Sequence, residues 1–129
     1  MEEFREGQEW KYKTRPNETK STLIILKVEE YEGVGAVVHI SVDGLSIKNV
    51  EKPESPHSDI SHMPFVADSV RKCVTELLGY SEIPDFTEGY ECWKEAYENG
   101  DAGFFTVTVA ESVEFMEETL SDGEVVKDS

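Results

Sequence analysis

Apolar and polar residues alternate near the start of the chain with the period of β-strands that bury one face. Trp10 and Tyr12 alternate with lysines, and two longer apolar segments follow at residues 22–30 and 34–42. Pro16 and Asn17 mark a turn between the first two segments. The pattern predicts three consecutive antiparallel strands.

The loop at residues 31–33 predicts the register between the second and third strands. With Gly33 in a left-handed bulge position, Val28 pairs with Ala36 and Ile24 pairs with Ile40. Apolar residues then face apolar residues, which favours this loop over a shorter one.

Asp43-Gly44 is typical of a tight hairpin turn. Such a turn sets Leu45 opposite Val42 and Ile47 opposite Ile40. It therefore predicts a fourth strand that continues the meander.

A polar segment with two prolines, residues 51–62, is typical of a surface linker from sheet to helix. After Pro64, apolar residues recur at helical spacing up to Gly79. This stripe consists of Val66, Val70, Cys73, Val74, Leu77 and Leu78.

A second helix is predicted at residues 88–98, ending at Asn99-Gly100. Its two faces differ sharply. One face carries the aromatic row Phe86, Tyr90, Trp93 and Tyr97. The other carries the acidic row Glu88, Glu91, Glu95 and Glu98.

Residues 105–109 alternate as a fifth strand, and a last helix is predicted from Ala110 with a buried stripe of Val113, Met116 and Leu120. The predicted fold is α+β: an antiparallel meander of four strands plus a fifth strand, packed against two to three helices. Residues 1–120 form the single domain, and residues 121–129 form an acidic tail.

Composition agrees with one globular domain, because 129 residues with 38% hydrophobic content can bury a substantial core. The longest fully apolar stretch, residues 23–26, is too short to cross a bilayer. The first residues lack the basic and apolar regions of a secretion signal. We therefore expect a cytoplasmic protein.

The charge is unevenly distributed along the chain. Residues 80–129 hold 14 acidic and 2 basic side chains, a net charge of −12, and residues 1–79 hold 14 and 10, a net charge of −4, which together give −16. Such a field repels nucleic acid and anionic membranes and attracts basic protein surfaces. We expect a basic protein partner, no nucleic acid and no membrane.

The histidines are candidates for a metal or proton-transfer site. His57, Asp59 and His62 could in principle bind zinc or iron, but their spacing matches no recurrent metal motif. His39 alternates with buried neighbours and is expected on the opposite sheet face as a solvated or capped side chain. We expect no metal and no cofactor.

No nucleophilic catalytic group is indicated. Cys73 belongs to an apolar stripe, where a thiol usually has a raised pKa and little reactivity. A disulfide between Cys73 and Cys92 is not expected. The glycine-containing segments lack the lysine and hydroxyl residues of a phosphate-binding loop.

An aromatic ligand pocket is the alternative function. It would lie between the first strand and the second helix, lined by Trp10, Tyr12, Tyr90 and Trp93. In this alternative the chain is a small-ligand-binding protein, or an enzyme that uses this pocket or the cluster of His57, Asp59 and His62.

Phe115 lies among the glutamates of the last helix rather than on its apolar stripe. Either a neighbouring segment covers this ring, or it anchors a binding face. The predicted function is a non-enzymatic acidic protein-binding module for a basic partner. In composition it is similar to immunity or inhibitor proteins that neutralise basic toxins. The predicted partner-binding residues are Glu88, Glu91, Glu95, Glu98, Glu111, Glu114, Phe115 and Glu118.

Overall fold

The fold is a five-stranded antiparallel sheet with helices on both faces, which confirms the predicted α+β class. A computed structural model describes the backbone of residues 4–127 and the side chains of residues 4–119. The strands are β1 (Gln8–Tyr12), β2 (Thr22–Tyr31), β3 (Gly35–Asp43), β4 (Ile60–Val66) and β5 (Val74–Tyr80). The helices are α1 (Ala67–Arg71), α2 (Thr87–Glu98) and α3 (Val109–Lys127), and a 3-10 turn covers Pro16–Glu18.

The strand order is β4-β3-β2-β1-β5. The first four strands form the predicted meander, although the fourth strand lies later in the chain than expected. β5 pairs antiparallel with β1 at the far edge and is shifted in register twice along its length.

The predicted register between β2 and β3 is wrong. Tyr31 pairs with Gly35 and Val28 with Val38, and a bulge around Leu26 shifts the register so that Ile25 pairs with Ile40. The chain turns one residue later than predicted, and a bulge that no local signal marks changes the pairing again.

The predicted hairpin at Asp43-Gly44 is also wrong. Gly44 does adopt a positive φ of 72°. The chain then leaves the sheet, and Ile47 pairs only with His57 in an isolated bridge. Leu45 and Ile47 are nevertheless buried in the core, so the apolar pattern there reflects burial without strand pairing.

The predicted linker, residues 51–62, is an exposed loop up to residue 59, as expected, but β4, the short α1 and β5 replace its last residues and the predicted first helix. β4 brings Met63 opposite Ile40 and Phe65 opposite Val38. Pro64 is accommodated because β4 is an edge strand. The helical stripe was misleading, since its many β-branched residues also suit strands, and pairing with β1 decided the outcome.

The predicted fifth strand at residues 105–109 is absent from the described residues. Phe105 alone bridges to Phe65 and covers the edge of β4, and Val109 begins α3. The α3 backbone stays helical through Lys127, past residue 121 where we expected a tail. The side chain of Leu120, and residues 128 and 129, lie outside the described residues.

The hydrophobic core lies on one face of the sheet, beneath α1 and α3. Val38, Ile40 and Phe65 belong to it, and α3 contributes Val109 and Val113. Successive side chains of a strand point to opposite faces, so the residue between Val38 and Ile40 faces the other side, where α2 packs. Within the described residues, no helix is both long and apolar enough to span a membrane.

Candidate functional site

The two acidic helices lie on opposite faces of the sheet. α3 packs through Val109 and Val113 on the core face, whereas the rings of Tyr90 and Trp93 on α2 contact His39 on the other face. The acidic residues of α2 are all exposed: Glu88, Glu91, Glu95 and Glu98. Because the sheet lies between them, the predicted acidic residues do not form one continuous binding face.

On α3, Glu111 has a structural role. Its carboxylate accepts hydrogen bonds from the backbone N–H and the hydroxyl of Thr108, each at 3.0 Å, and its own N–H donates to the Thr108 hydroxyl at 3.2 Å. This reciprocal arrangement is a capping box. These bonds lower the pKa of Glu111 and tie it to the helix start.

Arg15 neutralises part of the negative charge of the α3 carboxylates. Its guanidinium donates to both carboxylate oxygens of Glu18 and, at 2.9 Å, to Glu117, and lies 4.0 Å from Glu114. The Arg15 side chain is only 10% exposed, so its charge is turned toward these partners. Glu118 and Glu114 remain exposed on the outer side of α3.

Phe115 is 60% exposed, so no described segment covers it. It borders a groove of about 280 Å³ whose apolar walls come from the segment that crosses the edge of β4. The groove is lined by Phe104, Phe105, Thr106, Val107, Glu111, Ser112 and Phe115. An exposed ring thus lies beside an apolar groove and between carboxylates.

The aromatic pocket predicted as an alternative does not form. Trp10 and Tyr12 are buried in the core on the α3 side, whereas Tyr90 and Trp93 lie on the α2 side. There the rings of Trp93 and Tyr97 stack at 5.2 Å, and Trp93 lies 5.5 Å from Phe104. The four predicted residues therefore do not line one pocket.

The predicted cluster of His57, Asp59 and His62 does not come together as a metal site. The His62 ring bonds to His39, and the His57 backbone bonds to Ile47. Asp59 borders a separate groove. No three His, Cys, Asp or Glu side chains in the described part of the chain are placed to hold a metal ion.

The structure instead joins His62 to His39, and His39 to Glu29. His39 Nε2 lies 2.8 Å from a carboxylate oxygen of Glu29, and His39 Nδ1 lies 2.9 Å from His62 Nε2. Glu29 also accepts hydrogen bonds from the hydroxyls of Tyr31 at 2.9 Å and Tyr90 at 2.8 Å. We call Glu29, His39 and His62 the histidine relay.

The position of each proton follows from chemistry. A carboxylate only accepts, so His39 Nε2 carries hydrogen and donates to Glu29. In neutral His39 the Nδ1 is then an acceptor, and it receives the Nε2–H of His62. We expected His39 to be either solvated or capped by a hydrogen bond. A solvated His39 is wrong, because its side chain is 0% exposed.

Burial dominates the electrostatics of the relay. It lowers the pKa of His39 below its usual value, and Glu29 opposes this effect without cancelling it. Burial and the neighbouring His39 lower the pKa of His62 to about 4. Burial raises the pKa of Glu29, but the hydrogen bonds from Tyr90, Tyr31 and His39 together bring it below its usual value. The relay at neutral pH is an ionised carboxylate with two neutral imidazoles.

Sequence reasoning missed Glu29 and Tyr31 as partners of His39. Glu29, Tyr31 and Lys27 alternate along one face of β2, and His39 lies on the same face of β3. The aromatic side chains of α2 have to pack against another element, and in the structure they pack on this face of the sheet. The signal was present, but the wrong register concealed it.

Neither cysteine forms a disulfide. Cys73 is buried in the core and Cys92 is exposed on α2. Burial raises the pKa of the Cys73 thiol, as expected for a core residue.

No family model, curated protein or solved structure compared with this chain matches it.

Proposed function

We propose that this protein is a binding module for a basic protein segment, and that it binds through Phe115 and the groove beside it. The observation that carries the proposal is the exposure of Phe115, which at 60% exceeds what a core-facing ring would show. Large rings at the centre of interfaces contribute much of the binding free energy, and acidic rims select basic partners.

The charge around the groove supports a partner rich in lysine or arginine. Glu114 and Glu118 flank Phe115 on α3, and both are exposed. Arg15, which lies near this face, is already bonded to Glu18 and Glu117. A partner segment with an apolar residue between basic ones would fill the groove and pair with Glu118 and with Glu114, whose side chain is 64% exposed although it lies 4.0 Å from Arg15.

We place the proposed binding residues on one helix, α3. Glu88, Glu91, Glu95 and Glu98 lie on the opposite face of the sheet, so they contribute only to the long-range field. Glu111 caps α3, so we propose that it stabilises the helix and does not bind the partner. The proposed contacts are therefore made by Phe115, Glu114 and Glu118.

Phe115→Ala tests the proposal. We expect it to keep the thermal stability of the fold, because the ring is exposed, and to reduce affinity for the partner by about 2 kcal/mol or more. Immobilised wild-type and variant protein would be compared in pull-downs from native cells at low and moderate salt, followed by affinity measurements on the captured partner.

Tyr80→Ala is the matched control, since Tyr80 is an aromatic residue of β5 that is 64% exposed at the far edge of the sheet. It should capture the same partner as the wild type. Glu114→Gln with Glu118→Gln should slow association and weaken its dependence on salt. Equal capture by wild type and Phe115→Ala would contradict the proposal.

A further inference from the structure

The contact between His39 and His62 has room for one hydrogen. Their facing nitrogens are 2.9 Å apart, and His39 Nε2 is committed to Glu29. The pair can take one extra proton at His62 Nδ1 and keep this bond. A second extra proton must go to a facing nitrogen, where two N–H groups would point at each other.

The charged groups around the pair would not stabilise this second charge. From β2, Glu29 faces the pair together with Lys27 and Tyr31. From α2, Tyr90 and Lys94 face it. Glu29 is the only anion among these groups, and the two lysines add positive charge. A doubly protonated pair would therefore repel itself with a single carboxylate to compensate.

Helix α2 lies directly over the pair. A Cβ on Gly89 would be 3.2 Å from the His62 Cβ, so the helix backbone is close to that side chain. The His39 ring centroid is 5.1 Å from those of both Tyr90 and Trp93. His62 has no path away from His39 on this side unless α2 moves.

Polar contacts also hold α2 on the sheet through the same network. The Tyr90 hydroxyl donates to Glu29 at 2.8 Å, and Lys94 Nζ donates to the Tyr31 hydroxyl at 2.9 Å. If the two imidazoles separate, His39 shifts relative to Glu29, and Glu29 is the residue to which Tyr90 of α2 is bonded.

We propose that the histidine relay is a pH-sensitive latch that holds α2 on the sheet at neutral pH and releases it in acid. The latch uses none of the proposed partner-binding residues Phe115, Glu114 and Glu118, so it does not rest on the proposed binding function.

The direction of the pH dependence of stability follows from the difference between the folded and unfolded pKa values. The folded pKa of His62 is about 4, below the unfolded value of 6.5, so folding favours the neutral ring. The stabilisation is complete above the unfolded pKa and is lost as pH falls from there through the folded pKa. The lowered pKa of His39 acts in the same direction.

Hydrogen exchange followed by mass spectrometry would test the latch from about pH 7.5 to about pH 3.5, a range that covers both pKa values. Protection of the α2 amides is divided by that of the α3 amides at each pH, which removes the intrinsic dependence of exchange on pH. We expect this ratio to fall, by about tenfold per pH unit for each proton coupled to opening.

His62→Gln should flatten the ratio, because an amide can still donate to His39 Nδ1 but takes up no proton. His57→Gln is the matched control, since His57 is exposed in the loop after β3, and it should behave as the wild type. Equal loss of protection in α2 and α3, or an unchanged acid response in His62→Gln, would overturn the proposal.

A second measurement needs no variant. Nitrogen NMR of the imidazoles in the wild-type protein should show His39 and His62 gaining charge over the same pH range in which α2 loses protection. Rings that stay neutral throughout that transition would also overturn the latch.

Discussion

Gly44 illustrates how a single residue can be necessary for a reason that its sequence context does not reveal. The Asp43-Gly44 pair predicts a hairpin, yet the structure uses Gly44 where the chain leaves the sheet. A Cβ there would lie 2.9 Å from the Ser21 Cα, a backbone atom that cannot move aside easily. The Ser21 hydroxyl, which donates to the Asp43 carbonyl at 2.5 Å, joins the same two segments.

We expect Gly44→Val to be destabilising by about 1 to 3 kcal/mol, because a β-branched residue is strained at positive φ and would also contact Ser21. Gly33→Val is the control, since Gly33 has a similar φ of 79° with open space around it. Urea unfolding should give a larger loss at Gly44 than at Gly33. Equal losses would mean that the close approach to Ser21 has no energetic role.

Among the helices and strands, the start of α3 shows a local signal that the structure uses in full. Thr108 and Glu111 have the spacing of a capping box, and their reciprocal bonds are present. The next residue, Val109, is fully buried, so the cap also places the first core contact of the helix. The sequence predicts Glu111 as a partner-binding residue, because a carboxylate that caps a helix and one that binds a partner look the same in sequence.

Thr108→Ala should reduce the free energy of unfolding by about 1 kcal/mol, the usual cost of losing such a cap. Thr106→Ala, at an exposed threonine of the same segment, should change it by less than about 0.5 kcal/mol. Thermal or urea unfolding measures both. If Thr108→Ala matched Thr106→Ala, the capping box would not stabilise the fold.

For the complete fold, net charge is the dominant electrostatic feature. The chain carries −16, and the ion pairs of the described residues involve few of its carboxylates. The acidic side chains of α2 and those of α3 lie on opposite sides of the sheet, so the negative electrostatic field extends around the molecule. Self-repulsion of this kind opposes compactness and is reduced by salt.

We therefore expect the midpoint of thermal unfolding to rise as sodium chloride increases from about 10 mM to about 150 mM, which shortens the screening length from about 30 Å to about 8 Å. Chloride is preferred to sulfate, since sulfate stabilises proteins by exclusion. Glu91→Gln with Glu95→Gln should reduce this dependence. A midpoint that falls with salt would show that ion pairs outweigh repulsion.

Local patterns predicted much of this protein. The alternation around Trp10 and in residues 22–42 produced β1, β2 and β3, because one buried face imposes a period of two on any strand. The aromatic and acidic faces of residues 88–98 predicted α2 with its end at Asn99. The same alternation predicted that His39 lies on the sheet face opposite to Val38 and Ile40.

Only the tertiary structure decided the rest. Residues 60–80 hold apolar positions that suit a helix or two strands, and the open edges of β3 and β1 selected strands. The bulge at Leu26 set the register, and neither turn nor composition marks it. The histidine relay and the division of acid between two faces depend on which side of the sheet each helix packs. That choice is made by burial over the whole chain, which no short stretch of sequence contains.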